Sequence, residues 1–514
     1  MDLFSDLALG WSVAISPQTL MFCFLGVLLG TVVGVLPGIG ALASISLLLP
    51  ITYHIDPTSA IVMLAGVYYG SAYGGSTAAI LLNLPGTPNS AVSCLDGYPM
   101  AKQGRAGVAL FITAIASFVG ALGGLIVLVL FSPAIAELGF RFGAPEYFAL
   151  MVLGLVAAST ITSGSPVKGL AMVVFGLTLG TVGLDVNSGI ARFHFGVLEL
   201  RDGLSLIALA MGLFGISEVI ASINNVPTRT SRNGGITLRS LIPTREDWRR
   251  SALPMLRGSG IGGFVGALPG VGSTIASFMA YAVEKRVSKH PEKFGKGAIE
   301  GLTAPESANN ASIQTAFVPS LSLGIPGDVV MALMLAALII HGITPGPTLM
   351  INQPGLFWGL IVSFLIGNIM LLALNIPLVG LWVRLLSIPY RVLFPAILVF
   401  ICLGAFSESN NTFDILMLCV FGAIGYLMIL LRFEPAPVLL GFVLGPLMEE
   451  HLRRSLTLSR GDLSVFFTRP ISGTLLVITA LMIIWAFWSW RRRTRSERQE
   501  RDDISKALQE GRSP

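Results

Sequence analysis

Residues 26–40 read GVLLGTVVGVLPGIG, and residues 258–272 read GSGIGGFVGALPGVG. The two stretches align at a constant offset of 232 residues, from Gly26 to Gly258. The Gly, Leu and Pro positions that are identical in both stretches are Gly26, Gly30, Gly34, Leu36, Pro37, Gly38 and Gly40. So many coincident Gly and Pro residues indicate an internal duplication, and a duplication decides the fold before any single motif does.

Each copy predicts a helix that ends in a break. Glycines at every fourth position lie on one helix face and let another backbone approach closely. The Leu-Pro-Gly-x-Gly that follows cannot continue the helix, because Pro lacks the N–H donor and Gly admits positive φ. The predicted break residues are Pro37, Gly38 and Gly40 in the first copy and Pro269, Gly270 and Gly272 in the second. Such breaks persist in a bilayer only where they are packed in protein or face a water-filled cavity.

A second pair of breaks follows the first. Residues 68–88 read YYGSAYGGSTAAILLNLPGTP, and residues 306–328 read ESANNASIQTAFVPSLSLGIPGD. Both stretches begin with small and polar residues, become apolar, and end in Pro-Gly, at Pro85-Gly86 and Pro326-Gly327. Two pairs of broken helices at matching positions predict a binding site near the middle of the bilayer.

Composition places the chain in a membrane. It has 514 residues, of which 53% are hydrophobic and 12% charged, and its mean hydropathy is +0.78. That charge is about half of what a soluble domain carries. We therefore predict an all-α polytopic membrane protein with about 10–12 transmembrane helices, in which broken helices or re-entrant hairpins form an inverted repeat. The net charge of +5 comes from basic residues that flank apolar runs, which argues against nucleic-acid binding.

The basic residues also divide the chain into segments. The prediction is a first membrane repeat (1–222), a basic linker (223–257), a second repeat with C-terminal spans (258–490) and a tail (491–514). The linker contains seven arginines, and the tail begins with Arg491-Arg492-Arg493. Both are therefore predicted to face the cytoplasm.

Charge around the two copies favours opposite orientations in the membrane. The second copy follows Arg257 and precedes five Lys and Arg residues between positions 285 and 296, whereas residues 1–16 and 51–58 around the first contain neither. If each copy is a re-entrant hairpin, the ends of one lie inside and the ends of the other outside. The alternative is a full span followed by a half-helix in each copy, which gives a parallel repeat.

The breaks provide donors that suit a carboxylate. Helices that restart after a break present unpaired N–H groups and a partial positive charge. Side chains near the breaks add further donors, and the predicted substrate-binding residues are Ser44, Ser46, Asn83, Gly86, Thr87, Asn89, Ser273, Thr274, Asn309, Asn310 and Gly327. The alternative for each Ser and Thr is a hydrogen bond to its own helix backbone.

Two carboxylates lie next to apolar segments. Glu306 shares a helical face with Asn309 and Asn310 by spacing, and we predict that this group coordinates a cation, gates the site or contacts the substrate. Asp328, which follows Pro326-Gly327, is the second candidate for the coupling ion or for gating. A carboxylate in its position also suits a helix N-cap.

The sequence shows no set of residues suited to catalysis. Residues 266–274 read GALPGVGST, which lacks the Lys of a phosphate-binding loop. No metal-ligand cluster, nucleophile elbow or close carboxylate pair is found, so we expect no enzyme activity, no cofactor and no metal centre. A membrane channel for small anions is the main alternative to a transporter, because the same broken helices could line a pore. An intramembrane enzyme is the third.

Several motifs resemble the large membrane subunit of tripartite tricarboxylate transporters, the TctA family. Those of the first half are Gly34–Gly40, Tyr68–Ser76, Asn83–Pro88 and Asp96–Met100. Those of the second half are Leu268–Gly272, Lys293–Gly297, Ala304–Asn310, Leu323–Gly327, His341–Pro347 and Gly445–Glu450 with Arg453-Arg454. The resemblance covers most of the chain.

The resemblance implies a transporter subunit that works with other proteins. Members of this family act in the bacterial inner membrane with a small four-span membrane subunit and a periplasmic substrate-binding protein. It also implies uptake of citrate or another small organic carboxylate, coupled to a sodium or proton gradient rather than to ATP. A homo-oligomer is compatible with it. The family does not determine which carboxylate is carried.

Overall fold

The computed structural model describes residues 3–36, 40–161, 165–185, 188–222, 238–269, 272–386, 395, 398–399, 401–403, 405–406 and 411–509. These residues are almost entirely helical, and the prediction of an all-α polytopic membrane protein is confirmed. The strands of the described ranges are Gly183–Leu184 and Ala191–Arg192, which pair antiparallel with Gly183 opposite Arg192.

The chain folds as two compact units. The larger unit comprises Met1–Arg141, Val182–Asp185 and Gly189–Leu431, and the smaller comprises Phe142–Thr181, Val186–Ser188 and Arg432–Pro514. The sequence did not predict that a segment of each half would combine into this smaller unit. The predicted boundary at 257/258 also falls inside a helix, because residues 245–266 are continuous.

The larger unit contains most of the helices. Those before residue 223 are α1 (Leu3–Ala14), α2 (Pro17–Val35), α3 (Gly40–Thr52), α4 (Pro57–Leu82), α5 (Ala91–Met100), α6 (Ala106–Gly139), α9 (Leu206–Ala210) and α10 (Ser217–Ser222). Those after it are α11 (Arg245–Gly266), α12 (Gly272–Val287), α13 (Ile299–Thr315), α14 (Phe317–Leu323), α15 (Val329–Ile340), α16 (Leu349–Asn352), α17 (Pro354–Asn375), α18 (Val379–Leu385) and α19 (Thr412–Leu430).

Short turns of other helix types connect these elements. Those of 3₁₀ type are Pro88–Ser90, Glu199–Asp202, Leu238–Leu241 and Pro291–Lys293. Single π-helical turns, Ala101–Arg105 and Met211–Ile216, join α5 to α6 and α9 to α10.

The smaller unit is a helical bundle. Its helices are α7 (Ala144–Ile161), α8 (Pro166–Gly180), α20 (Ala436–Leu458), α21 (Val465–Thr468) and α22 (Pro470–Gln509). Gly176 of α8 packs on the backbone of Val438 in α20. At one end, the buried carboxylate of Glu146 accepts a hydrogen bond from Arg469 Nε at 2.6 Å.

Five helical stretches among the described residues are long and apolar enough to cross a membrane. They are Pro17–Val35, Pro88–Gly139, Pro354–Asn375, Thr412–Leu430 and Pro470–Arg491. Six shorter apolar helices accompany them: Leu3–Ala14, Gly40–Thr52, Ala144–Ala157, Pro166–Gly180, Leu206–Ala221 and Val329–Ile340. The number of 10–12 complete spans stays a prediction, because short and broken helices need not each cross the bilayer.

Local sequence explains where the main helices begin. Asp56 accepts a hydrogen bond from the Ser59 N–H and precedes Pro57, so α4 has an N-cap followed by a proline at its first position. Ser16 and Pro17 start α2 in the same way. Thr244 and Asp247 form a reciprocal capping box at the start of α11.

Two helices form the centre of the larger unit. Nearly all of α4 is buried, and every residue of α13 except Glu300 is buried. Because α4 belongs to the first repeat and α13 to the second, the buried centre contains one long helix from each.

Candidate functional site

In each repeat, two long helices pack so closely that glycines touch the partner backbone. In the first repeat α2 lies on α4, and the contacts are Gly26 on Met63, Gly30 on Val67 and Gly34 on Ser71. In the second repeat α11 lies on α13, and the contacts are Gly258 on Ala304, Gly262 on Ala308 and Gly266 on Ser312. The three glycines of the second repeat follow those of the first at one constant spacing, and their backbone partners follow at another constant spacing. The same packing therefore occurs in both repeats. A Cβ at these glycines would collide with backbone atoms, which explains the spacing of four.

A short helix follows the first break of each repeat. α3 begins at Gly40 and α12 at Gly272, and these glycines have φ of 64° and 72°. Left-handed backbone of this kind favours Gly because any Cβ there is strained. Pro269 lies in the turn after α11. The other predicted residues of these breaks, Pro37, Gly38 and Gly270, lie outside the described residues.

The second breaks also correspond in detail. α4 ends at Asn83 with φ of 59°, and α14 ends at Gly324 with φ of 73°. Pro85-Gly86 and Pro326-Gly327 follow at the same distance from these caps. The next residues, Thr87 and Asp328, then begin the 3₁₀ turn Pro88–Ser90 and helix α15. The chain therefore leaves and re-enters helical conformation at equivalent places in both repeats.

The two repeats interlock through these breaks. Helix α3 of the first repeat contacts α15 of the second, and α12 of the second contacts the turn Pro88–Ser90 of the first. The Tyr68 hydroxyl of α4 donates to Asp328 Oδ2, and Thr274 Oγ1 donates to Asn89 Oδ1 at 3.0 Å. The start of α15 and the start of α12 are thus each bonded to a side chain of the first repeat.

A buried carboxylate lies between the central helices. Glu306 of α13 is 1% exposed, and it accepts hydrogen bonds from Ser76 at 2.6 Å, Ser93 at 2.8 Å and Ser117 at 3.1 Å. Asn310 Nδ2 is 3.4 Å from Glu306 Oε1. We call these five residues the Glu306 cluster. Because the serines belong to α4, α5 and α6, the cluster joins three helices of the first repeat to α13 of the second.

Helix α13 has more buried polar groups than the described residues can pair. Asn309 Oδ1 and Nδ2, Asn310 Oδ1, Ser312 Oγ and both side-chain polar atoms of Gln314 have no hydrogen-bond partner among the described residues. An unpaired buried polar group costs about 1–3 kcal/mol. A helix with several such groups is typical of a site that contacts a solute or water rather than of a packing core.

A small polar cavity lies beside the Glu306 cluster. It is lined by Tyr73, Thr77, Leu110, Thr113, Ala114, Ser117, Asn375 and Val379. Ser117 belongs both to this polar cavity and to the Glu306 cluster. Two lining atoms, Thr113 Oγ1 and Asn375 Oδ1, have no hydrogen-bond partner within the described ranges. The cavity therefore places polar groups next to one of the hydroxyls that bond the carboxylate.

The other predicted site residues differ in the hydrogen bonds that their side chains already make. Ser44 and Ser46 donate to the carbonyls of Gly40 and Leu42 in their own helix, at 2.9 and 2.8 Å. Their side chains thus make the backbone bond that was the alternative expectation. Asp328 makes the N-cap considered for it, since it accepts from Met331 N at 2.9 Å, and it also accepts a hydrogen bond from Tyr68. Its part in gating or in binding the coupling ion stays a prediction.

Thr87, Ser273 and the break glycines lie in packed positions. Thr87 is buried, and its N–H donates to Ser90 Oγ at 3.2 Å. Ser273 is also buried. A Cβ at Gly86 would collide with the Gly34 carbonyl, and one at Gly327 would lie 2.6 Å from the Ala316 carbonyl. These glycines let the break cross another backbone closely.

The structure adds residues that sequence reasoning did not single out. Tyr68 and Ser76 lie inside a motif used for the family resemblance, but no role was assigned to them. Ser93 and Ser117 carry no local signal, because a lone serine in a helix usually bonds its own backbone. Only their convergence on Glu306 distinguishes them.

Asp96 anchors the loop between α12 and α13. Its Oδ1 accepts from the backbone N–H groups of Gly295, Gly297 and Ala298 at 2.8–2.9 Å. Its Oδ2 accepts from the Tyr281 hydroxyl at 3.0 Å. This bonding joins the Asp96 motif of the first half to the 293–297 motif of the second.

Arginine–carboxylate pairs hold one end of the second repeat. Arg257 of α11 makes two hydrogen bonds to Glu284 of α12, and Arg250 makes two to Glu300 of α13. Such paired contacts are geometrically specific as well as strong.

Asp247, in the polar start of α11, carries a shifted pKa. Burial acts to raise the pKa of this carboxyl, but hydrogen bonds from Arg105 and Thr244 outweigh it and hold the pKa below the ordinary 3.8. The carboxylate is therefore ionised across the neutral range.

Two proteins of Agrobacterium vitis are similar to this chain. An uncharacterised 52.8 kDa protein in the TAR-I ttuC' 3' region is 51% identical over 487 residues, covering 95% of this chain and 96% of the relative. An uncharacterised protein in the TAR-II ttuC' 3' region is 56% identical over 225 residues, covering 44% of this chain and 93% of the relative. No solved structure matches the chain.

The sequence profile of one transporter family covers most of the chain. The tripartite tricarboxylate transporter TctA family matches residues 20–440, a range that includes both pairs of breaks and the Glu306 cluster. This confirms the resemblance drawn from the motifs. The chain therefore belongs to the tripartite tricarboxylate transporter TctA family, and it is a membrane component of a transporter that has other protein subunits.

Proposed function

We propose that this chain is the large transmembrane subunit of a binding-protein-dependent secondary transporter that imports a small organic carboxylate. The transported solute is citrate or a similar carboxylate, and a sodium or proton gradient drives uptake. The observation that carries the proposal is the reciprocal contact of the two broken repeats, in which Tyr68 meets Asp328 and Thr274 meets Asn89. Broken helices that meet from two related halves are the usual construction of a secondary-transporter site.

The broken segments suit an anionic solute. α3 and α12 each start directly after a break, so their first N–H groups have no partner within the helix. These groups attract a carboxylate without a fixed cation that would hold it too tightly. Asn89 and Thr274 lie in the same region and add an amide and a hydroxyl. No enzymatic step is needed to account for this arrangement.

The two repeats are proposed to have opposite orientations in the bilayer. Reciprocal contacts, α3 with α15 and α12 with the Pro88–Ser90 turn, are what a pseudo-two-fold relation between the halves produces. The charge difference between residues 51–58 and 285–296 supports an axis that lies in the membrane plane. A unit that carries both breaks would then give alternating access of the elevator kind.

The partners and location follow from the family. We propose a small four-span membrane subunit, a periplasmic substrate-binding protein and the bacterial inner membrane, with the 223–257 linker and the C-terminus in the cytoplasm. The family name itself denotes a three-part transporter. Self-association into a homo-oligomer is compatible with the proposal.

The test is uptake by the full chain and its two partner proteins reconstituted in proteoliposomes. Labelled citrate and related carboxylates are offered under an imposed sodium or proton gradient, and counterflow is measured with and without the binding protein. We expect accumulation above equilibrium that requires one of the gradients. Equilibration without accumulation would identify a channel, and conversion of the carboxylate without transport would identify an intramembrane enzyme.

A further inference from the structure

The carboxylate of Glu306 is buried, and its negative charge must be balanced. It lies on a helix whose residues are buried, and it makes no ion pair with a Lys, Arg or His among the described residues. An unpaired carboxylate in such surroundings is costly, so its charge must be balanced by a bound proton or a bound cation. A bound proton and a bound cation need different numbers of surrounding oxygen atoms.

Several oxygen atoms that can accept a hydrogen bond or bind a cation surround Glu306. Beside the two carboxylate oxygens stand the hydroxyl oxygens of Ser76, Ser93 and Ser117. Asn309 Oδ1 and Asn310 Oδ1, within one helical turn of Glu306, lack any partner in the described part of the chain. A proton on Glu306 adds one O–H donor, which can satisfy one of these acceptors at most, whereas a hard cation coordinates several oxygens at once.

The Asn310 amide can supply its oxygen without moving its helix. Its Nδ2 donates to the Glu306 backbone carbonyl at 3.1 Å and lies 3.4 Å from Glu306 Oε1, while its Oδ1 has no partner among the described residues. Rotation of the amide by half a turn exchanges the two atoms and presents the oxygen at the same place. Turning the amide gives up the bond to the carbonyl in exchange for the ion. The serine hydroxyls need only turn their hydrogens outward.

Charge favours a monovalent cation, and sodium is the metal ion of the two ion gradients proposed for uptake. One carboxylate balances one positive charge, and no group of three or more acidic, His or Cys side chains suited to a divalent metal occurs in the described ranges. The three hydroxyls stand 2.6–3.1 Å from the carboxylate oxygens. These separations are hydrogen-bond lengths, so a bound cation takes the place of hydroxyl hydrogens that turn away from the carboxylate.

We propose that the Glu306 cluster is the binding site of a sodium ion, which reaches it through the polar cavity beside Ser117. Asn309 contributes a further oxygen. This assignment rests on the proposed function in one respect, since it identifies the sodium ion as the one that drives transport. Because ligands come from α4, α5 and α6 on one side and α13 on the other, the bound ion ties the first repeat to the second.

The test is direct binding of radiolabelled sodium to the purified full chain in detergent, without carboxylate or partners. We expect saturable binding that lithium or unlabelled sodium displaces and that potassium at the same concentration does not. Glu306→Gln, which keeps the shape but removes the charge, should weaken binding by about tenfold or more, and Ser117→Ala by about threefold to tenfold. Elution as a single symmetrical peak in gel filtration shows that each variant is folded.

Ser363→Ala is the matched control. Ser363 is also a buried helical serine, but its hydroxyl donates to the Leu360 carbonyl of its own helix at 2.6 Å. Its loss should leave sodium binding unchanged. If Glu306→Gln does not fold, Ser76→Ala and Ser93→Ala decide the question in its place.

The results separate this site from the proposed function. Absence of saturable sodium binding, or wild-type binding by folded Glu306→Gln and Ser117→Ala, would overturn the site, whatever the transport assay shows. Binding that depends on Glu306 in a protein that carries no carboxylate would support the site and contradict the transporter. Uptake driven by a proton gradient alone, with no sodium bound, would assign a proton to Glu306 and refute the sodium proposal.

Discussion

Tyr68 of the first repeat donates its hydroxyl hydrogen to the carboxylate of Asp328, which lies 260 residues further along the chain. Asp328 also accepts the N–H of Met331 and so starts α15 after the second Pro-Gly break. One carboxylate therefore serves as a helix cap within its own repeat and as the attachment point for the other. In the alternating-access motion proposed above, movement of this break relative to α4 would break the contact, so we expect the Tyr68–Asp328 bond to affect transport.

Tyr68→Phe removes that hydroxyl and nothing else. We expect carboxylate uptake to fall by about tenfold, while stability falls by only about 1–3 kcal/mol because one hydrogen bond to a charged group is lost. Counterflow in proteoliposomes and thermal unfolding in detergent measure the two effects.

Tyr69→Phe is the control for this change, since Tyr69 is equally buried but its hydroxyl lies 3.9 Å from Cys23 Sγ, a weak contact. It should behave like the wild type. Full uptake by Tyr68→Phe would mean that the bond has no part in transport.

Two glycines of α11 test the close helix packing. Gly262 lies against the Ala308 carbonyl, so Gly262→Ala forces the helices apart and should destabilise the protein by about 1–3 kcal/mol. Gly260, two residues earlier, has no atom within 4 Å of an added Cβ. Gly260→Ala should be neutral or stabilising by up to about 1 kcal/mol, because Ala is the better helix former. Equal melting temperatures for both variants would contradict the packing.

Thr87→Ala tests a polar residue at a break, and Asn310→Ala tests one in the Glu306 cluster of α13. Each should lower uptake by about tenfold, because a solute or ion loses one hydrogen-bonding group, while the amount of protein in the membrane stays the same. Thr178→Ala is the control, since Thr178 is exposed and bonds only the Val174 carbonyl of its own helix. Wild-type uptake in both test variants would remove these residues from the site.

The opposite orientation of the repeats is open to thiol labelling. In a chain whose four cysteines are replaced, single cysteines at Tyr53 and Lys289 stand for the two segments of unlike charge. We expect an impermeant reagent to label Tyr53→Cys from the periplasmic side and Lys289→Cys from the cytoplasmic side. Labelling of both from one side would leave a parallel repeat.

Acid should weaken the start of α11 through Asp247. Because its folded pKa lies below 3.8, this carboxylate contributes stability above that pH, and the contribution is lost as the pH falls through the lower folded value. Asp247→Asn should therefore cost about 1 kcal/mol at neutral pH. The difference from the wild type should shrink below pH 3.8. A difference that stays constant into acid would mean that the charge of Asp247 is not what stabilises the helix.

The sequence alone determined the class of protein and its family. Pro and Gly determine the backbone conformation of only the residues next to them, so the helix breaks can be predicted locally. The low fraction of charged residues is a property of composition and does not depend on the fold. The matching breaks at Gly40 and Gly272, and at Pro85 and Pro326, were therefore predictable. The separate compact unit of residues 142–181 and 432–514 was not, because it depends on which distant helices pack together.

Only the tertiary structure decided which side chains meet. Ser76, Ser93 and Ser117 lie 230, 213 and 189 residues before Glu306, and no local pattern distinguishes them from serines that bond their own helices. Their convergence follows from how α4, α5, α6 and α13 pack, and Gly120 and Gly124 of α6 lie directly against the backbone of α13. A side chain's neighbours across a helix interface depend on the relative position of whole helices, and short-range chemistry along the chain does not specify that position.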